Sequence, residues 1–247
     1  GNADEARARA AALRPVNRTS QHVAGRLAAS FAKRGDAATA ALLRTSLVTA
    51  KAGRELRVQP EAAPIADARQ GTALWFAMLG DGFARTPNSS KELALIFARA
   101  AHWLDASDSF GQLALAEALV GREQIAAAME LLQRGEGKLP PGNAFALRRA
   151  ELLAEAGDFK AALAAALPDG AAPVDDPIWL TRFADVARRA GDDAVALQTF
   201  DLLLAQTAAN REAAGLRAAV LIAKADVLVR QNRWPEARVL LDEAVAV

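Results

Sequence analysis

The sequence predicts an all-α fold in which short antiparallel helix pairs repeat along the chain. Composition is the first observation behind this prediction, because 52% of the 247 residues are hydrophobic but only 5% are aromatic. The apolar residues are therefore mainly Ala and Leu, which are strong helix formers. Periodicity is the second observation, since apolar residues recur at three- and four-residue steps on both sides of regularly placed turns.

The clearest helix pair spans residues 177–210. The residues that share one face of its first helix are Leu180, Phe183, Ala184 and Ala187. Gly191 ends this helix, and Asp192 and Asp193 begin the second, where carboxylates suit the exposed N–H groups and the positive end of the helix dipole. The apolar stripe of the second helix contains Ala196, Phe200 and Leu203 or Leu204. A single pair cannot bury both of its faces, so this pattern predicts further pairs beside it.

Turns of the same kind recur along the chain. The spacings between successive turn residues are 32 from Ser89 to Gly121, 36 from Gly121 to Gly157, 34 from Gly157 to Gly191 and 41 from Gly191 to Asn232. An alanine lies five residues after each of the last three turn residues, at Ala162, Ala196 and Ala237. This pattern resembles the tetratricopeptide repeat (TPR) family, whose unit is a helix-turn-helix of 34 residues. The resemblance implies a right-handed superhelical α-solenoid of antiparallel helix pairs.

The N-terminal part predicts one further pair and an interruption. Ala3–Leu13 is predicted to be the second helix of a pair whose first helix is missing, so we expect a piece of a longer protein; the alternative is a natural N-terminal capping helix. The next pair turns at Gly35, with two apolar faces: Leu27, Ala28 and Phe31, then Ala40, Leu43 and Leu47. Residues 53–70 contain Pro60 and Pro64 and little periodicity, which favours an irregular linker or loop. The predicted organisation is therefore 1–52 for N-terminal TPR-like helices, 53–70 for the linker and 71–247 for a solenoid of about five helix pairs.

Aromatic residues concentrate in the first pair after this linker. They are Trp75, Phe76, Phe83, Phe97 and Trp103. Two interpretations are open: core packing between consecutive repeats, or an apolar groove that receives a partner helix or an extended peptide.

Few residues suggest chemistry. The formal charge is +1, with 30 basic and 29 acidic residues and no basic block, so we expect no nucleic-acid partner. The chain has no cysteine, and no apolar run reaches the length of a membrane span. His22 and His102 lie 80 residues apart, which does not suggest a triad or a metal site. Glu117, within an apolar run, comes closest to a catalytic acid, but we predict an exposed or groove-facing position. The expectation is a protein without catalytic residues, metal or cofactor.

The TPR resemblance also implies a binding surface. In that family the first helices of the pairs line a concave surface, and their outward positions contact the ligand. The matching positions here are Leu147, Glu151, Glu155, Thr181, Asp185, Arg188, Arg189, Ile222, Asp226 and Arg230. Solvation of a polar helix face is the alternative explanation for these side chains. Some family members clamp a C-terminal carboxylate with an asparagine, and carboxylates replace it here at Glu151, Asp185 and Asp226, which argues against that kind of ligand.

The leading hypothesis is a non-catalytic scaffold that binds a partner protein or peptide in a concave groove, in the assembly of a cell-envelope complex. The Ala/Leu/Arg-rich style of the repeats resembles exported bacterial TPR proteins, which favours a periplasmic or envelope location over the cytoplasm. The alternative is a helical accessory domain of a larger enzyme, such as a cell-wall lytic enzyme. The sequence leaves the partner and the oligomeric state open.

Overall fold

The computed structural model describes residues 3–49, 63–137, 139, 143–167, 176–208 and 213–247. Within these ranges the chain forms thirteen helices and no strand. The helices are α1 (Ala3–Ala12), α2 (Arg18–Lys33), α3 (Ala37–Thr49), α4 (Ala68–Arg85), α5 (Lys91–Leu104), α6 (Ser109–Gly121), α7 (Ile125–Glu136), α8 (Ala144–Glu155), α9 (Phe159–Ala166), α10 (Pro177–Arg189), α11 (Asp193–Thr207), α12 (Ala214–Arg230) and α13 (Trp234–Ala246). The chain divides into two compact units, Gly1–Phe145 and Ala146–Val247, which are described separately.

Five inter-helix turns share one backbone geometry. Each contains a residue with positive φ, followed by an N–H that donates to the carbonyl oxygen five residues earlier at 2.9 to 3.0 Å. The positive-φ residues are Gly35, Glu123, Gly157, Gly191 and Asn232. This hydrogen bond closes a helix C-terminus only when the turn residue is left-handed, a conformation that glycine adopts most easily.

The position of one predicted turn is wrong. Gly121 is the last residue of α6, and the left-handed residue is Glu123, two positions later. With this correction two successive repeats are 34 residues long, from Glu123 to Gly157 and from Gly157 to Gly191. A buried alanine also follows five residues after every one of the five turns: Ala40, Ala128, Ala162, Ala196 and Ala237. A small side chain at this point lets the two helices of each pair approach closely.

In the first unit, α1, α2 and α3 share a small apolar core. Its buried members are Ala10, Ala24, Ala28 and Leu43, with Leu13, Leu27, Phe31 and Leu47 packed against them. The faces predicted on both sides of Gly35 are therefore confirmed. Asn17 caps α2 through the backbone N–H of Ser20, so this helix starts at Arg18.

The predicted linker 53–70 lies largely outside the described residues. Its last part is described, and there Asp67 caps α4 by accepting a hydrogen bond from the N–H of Gln70. Because α4 therefore begins at Ala68, residues 68–70 are helical rather than irregular.

The helices α4 and α5 cross closely in the first unit. A Cβ on Gly80 would lie 2.9 Å from the backbone nitrogen of Ala98, so only glycine fits at this crossing. Phe97 stacks on Phe76 and on Phe83, each at 5.8 Å between ring centroids. The two tryptophans of this pair lie on the surface instead, with Trp75 55% and Trp103 79% exposed. Core packing thus accounts for the phenylalanines and not for the tryptophans.

The second unit contains the helix pair that the sequence predicts most clearly. The predicted faces of α10 and α11 are buried, including Phe183, Ala184, Phe200 and Leu203. Asp176 caps α10 by accepting hydrogen bonds from the N–H groups of Ile178 and Trp179. The all-α class built from antiparallel helix pairs is confirmed.

Candidate partner-binding surface

Ion pairs connect the first helices of the three pairs in the second unit. Arg182 on α10 donates two hydrogen bonds to Glu151 on α8, from Nε to Oε1 at 2.6 Å and from Nη2 to Oε2 at 2.8 Å. Arg188, further along α10, lies 3.6 Å from the carboxylate of Asp226 on α12. Side chains of α8, α10 and α12 therefore meet on one surface, hereafter the α8–α10–α12 face.

The first group of charges on this face surrounds Glu151. Besides its two bonds from Arg182, Glu151 accepts a hydrogen bond from Arg148 at 3.2 Å. Arg148 also lies 3.7 Å from Glu155. A planar guanidinium that binds a carboxylate through two parallel bonds has a fixed orientation, so this group is ordered before any partner arrives.

The second group surrounds Arg188. Asp185 accepts a hydrogen bond from Arg188 at 2.8 Å, and Asp226 lies between Arg188 and Arg230. Arg230 in turn donates to Asp193 of α11 at 2.9 Å. Exposed ion pairs contribute only about 0.2–1 kcal/mol each, so these contacts arrange charges on the surface more than they stabilise the fold.

The structure places nine of the ten predicted contact residues where a partner can reach them at least in part. Glu155, Thr181, Asp185, Arg189, Ile222, Asp226 and Arg230 are exposed, and Glu151 and Arg188 are half-buried. The prediction for Leu147 is wrong, because its side chain is 0% exposed. Leu147 shares the core-facing side of α8 with the buried Ala150 and Ala154, at steps of three and four residues.

Two residues of this face are missing from the prediction. Arg148 and Arg182 hold Glu151 between them. The signal for Arg182 was its position three residues before Asp185 and seven before Arg189, which places it on the same side of α10. Its pairing with Glu151 joins residues 31 apart and could be read only from the tertiary structure.

Two predicted residues offer contacts that the ion pairs do not use. Ile222 on α12 is 53% exposed, which provides apolar area beside Asp226. Arg189 is exposed and has no ion-pair partner among the residues that the structure describes. Thr181, by contrast, donates its hydroxyl hydrogen to the carbonyl oxygen of Pro177 at 2.7 Å. The face therefore combines one apolar contact, one available cation and a frame of paired charges.

Sequence reasoning also missed a buried cluster of charges in the first unit. The helix α2 presents Arg18, His22 and Arg26 at four-residue steps, and all three are buried. Arg18 binds Asp81 of α4, which also accepts a hydrogen bond from the hydroxyl of Thr19 at 2.8 Å. The four-residue spacing of Arg18, His22 and Arg26, which places them on one face of α2, was the sequence signal for this cluster.

Glu117 belongs to this cluster. Its carboxylate lies 3.4 Å from Arg18, and its side chain is only 16% exposed. The predicted exposed or groove-facing position for Glu117 is therefore wrong. The side chain faces Arg18 of α2, and His22 of the same helix stacks on Phe110 of α6 at 4.9 Å between ring centroids.

Asp108 is the other carboxylate of the cluster. It lies 3.0 Å from Nε2 of His22, accepts a hydrogen bond from Arg26 at 2.7 Å, and caps α6 through the N–H of Gly111 at 2.8 Å. Burial acts to raise the pKa of Asp108, but the hydrogen bond and charge of His22, the bond from Gly111 and the charge of Arg26 outweigh it, so the pKa lies below its ordinary value. Asp108 is thus ionised and fully engaged, which indicates a structural role.

The described ranges show neither a metal cluster nor a membrane span. No group of three or more His, Asp or Glu side chains there is placed to hold a metal ion. None of the described helices is both long enough and apolar enough to cross a membrane.

Comparison with known proteins supports the fold. No protein-family model matches the chain, and no curated protein matches it. Among similar solved structures, one named "MamA MSR-1 C2" has a TM-score of 0.50 and 18% sequence identity, covering 73% of this chain and 97% of that chain. Another, named "MamA AMB-1 C2221", has a TM-score of 0.48 and 19% identity, covering 73% and 99%. The first similarity shows the fold alone, which is a TPR-like arrangement of helix pairs.

Proposed function

We propose that the α8–α10–α12 face binds a partner protein or peptide and that the chain acts as a non-catalytic scaffold. The observation that carries this proposal is the meeting of side chains from three first helices on one surface, through the Arg182–Glu151 and Arg188–Asp226 pairs. The formal charge of +1 favours a protein partner over nucleic acid. We place this scaffold in the assembly of a cell-envelope complex, on the strength of its Ala/Leu/Arg-rich repeats.

The paired charges serve the proposed function by giving the face a fixed pattern. Because Arg182 and Glu151 hold each other, neither side chain has to be ordered when a partner binds, which removes part of the entropic cost of binding. A fixed pattern of cations and carboxylates selects partners with the complementary pattern and disfavours others. Ile222 supplies apolar contact area, and Arg189 supplies a cation that a carboxylate of the partner can bind.

Identification of the partner is the first step of the test. The immobilised chain is used to capture proteins from an extract of the source cells, and the captured proteins are identified by mass spectrometry. The partner is then purified and titrated against the chain by isothermal titration calorimetry.

Two matched variants then locate the binding surface. Arg189→Glu should weaken binding at least tenfold, about 1.4 kcal/mol, because it reverses an available charge without breaking an internal ion pair. Lys160→Glu on α9 makes the same change of charge at an exposed position of the same unit and should leave the affinity unchanged. A double variant combines Arg189→Glu with Ile222→Ala. If it binds the partner as tightly as the native chain does, the α8–α10–α12 face is not the binding surface.

A further inference from the structure

The first unit contains a cavity of about 320 Å³ between the α4–α5 turn and the end of α6. Its accessible apolar lining includes Phe83, Ala84 and Pro87, and Arg85 and Lys91 also line it. This volume lies at the lower end of the range for small-molecule sites, roughly 300–1,000 Å³. The cavity is thus large enough for a small ligand and has both apolar and cationic lining.

Small residues keep this cavity open. Ala94 and Ala118 are buried and fill little space, and a Cβ on Gly121 would meet no atom within 4 Å. The turn that forms one side is held by its own hydrogen bonds, since Ser89 donates its hydroxyl hydrogen to the carbonyl oxygens of Phe83 and Thr86. The cavity is therefore formed before a ligand enters, which lowers the entropic cost of binding.

The charges around the cavity favour an anion. None of its described lining residues is a carboxylate. The neighbouring Glu92 is paired with Arg122, so it does not neutralise Lys91, which has no ion-pair partner among the described residues. Arg85 lies 3.6 Å from Asp81, a carboxylate that already binds Arg18. Lys91 is consequently the available charge of the cavity, whereas Arg85 is held by Asp81.

We propose that this cavity binds a small ligand with an apolar body and a terminal carboxylate. The carboxylate lies at Lys91, since an ammonium group forms charge-assisted hydrogen bonds with a carboxylate. The apolar body packs against Phe83, Ala84 and Pro87. A free branched carboxylic acid and the C-terminal residue of a peptide both carry this chemistry.

Calorimetric titration of the full chain with three probes tests the proposal. The probes are 4-methylpentanoate, N-acetylleucine and the neutral N-acetylleucinamide, which has the same apolar body without the carboxylate. We expect both acids to bind and the amide to bind at least tenfold more weakly. Tighter binding of N-acetylleucine would assign the site to peptide termini, and tighter binding of 4-methylpentanoate to free acids. Equal binding of acid and amide, or no binding of either acid, would overturn the proposal.

Two pairs of variants locate the bound probe. Lys91→Gln should lower the affinity for the acids at least fivefold, whereas Lys160→Gln, an equivalent change in the second unit, should not alter it. Gly121→Leu should fill the cavity and abolish binding, while Gly82→Leu, also at a helical glycine with open space around it, should bind like the native chain. Circular dichroism establishes that each variant is folded. If Gly121→Leu does not fold, the affinity of Lys91→Gln for the acids decides whether the probe binds in this cavity. Unchanged affinity in the folded variants would contradict the site, and neither result bears on the α8–α10–α12 face.

Discussion

Replacement of Asp108 by asparagine should destabilise the first unit strongly. The asparagine side chain would still accept the hydrogen bond from the N–H of Gly111, because asparagine caps helices as well as aspartate does. Gly111 binds Oδ2 of Asp108, whereas His22 and Arg26 bind Oδ1. The asparagine that keeps the Gly111 bond therefore turns its NH2 group toward His22 and Arg26, which lose both the negative charge and their acceptor. Arg26 would remain buried without its carboxylate, a situation that typically costs about 3–5 kcal/mol. The total stability of a domain is only about 5–15 kcal/mol, so the effect is large.

Urea denaturation followed by circular dichroism at neutral pH measures this loss. Asp36→Asn is the matched control, because Asp36 also accepts a bond from a helix N-terminus, at the N–H of Thr39, and also pairs with an arginine, Arg7, but near the surface. The control should lose clearly less stability than Asp108→Asn. A loss below about 1 kcal/mol for Asp108→Asn, which is within the range of exposed ion pairs, would refute the reasoning.

The same carboxylate makes the stability of the first unit depend on pH. The pKa of Asp108 is lower in the folded chain than in the unfolded chain, where it is about 3.9. Its contribution to the free energy of unfolding is therefore fully present above the unfolded pKa and is lost as the pH falls through the lower folded value. The stabilities of the native chain and of Asp108→Asn should consequently converge as the pH falls below about 4. A constant difference between them from about pH 7 to about pH 3 would contradict this assignment.

Three further predictions test the turns, the α4–α5 crossing and the α8–α10–α12 face by urea denaturation. Glu123→Gly should stabilise the chain by about 1 kcal/mol, and Gly191→Ala should destabilise it by about 1 kcal/mol, because both residues have positive φ; effects of the opposite sign would contradict the turn geometry. Gly80→Ala should cost about 1–3 kcal/mol, since its Cβ would meet the backbone of α5, and a neutral result would exclude this close crossing. Leu147→Ala should lower the free energy of unfolding by about 2–5 kcal/mol, while Ile222→Ala should change it little. A larger loss for Ile222→Ala than for Leu147→Ala would contradict the burial of Leu147.

The turns illustrate how far sequence patterns reach. The turns predicted at Gly157 and Gly191 are correct, because these positions have positive φ and glycine adopts it without strain. The same reasoning chose Gly121 over Glu123, since a glycine inside the last turn of a helix looks like a helix end. The alanine five residues later does not decide between them, because Ala126 follows Gly121 at the same spacing as Ala128 follows Glu123. Only the structure shows that Ala128 is buried and Ala126 is exposed.

The binding surface illustrates the limit of the TPR resemblance. The resemblance placed Asp185, Arg188 and Asp226 at outward positions of the first helices, and these side chains are at least partly accessible on α10 and α12. The resemblance also placed Leu147 on this surface, but Leu147 is buried and its neighbour Arg148 binds Glu151 there. One residue changes the direction of a side chain by about 100°, so the exact edge of a face depends on what packs against it. The right-handed superhelix that the TPR resemblance implies stays a prediction.

Taken by itself, the sequence determined the local features of this protein: its helices, most of its turns and the small residues at the helix crossings. These features depend on contacts within about one repeat, so the composition and the three-, four- and 34-residue spacings of the sequence predict them. Only the tertiary structure decided which charges meet. Arg18 binds Asp81, which lies 63 residues away in the sequence, and His22 contacts Asp108, which lies 86 residues away. No periodic pattern encodes such distances, because they depend on how one helix pair packs against another.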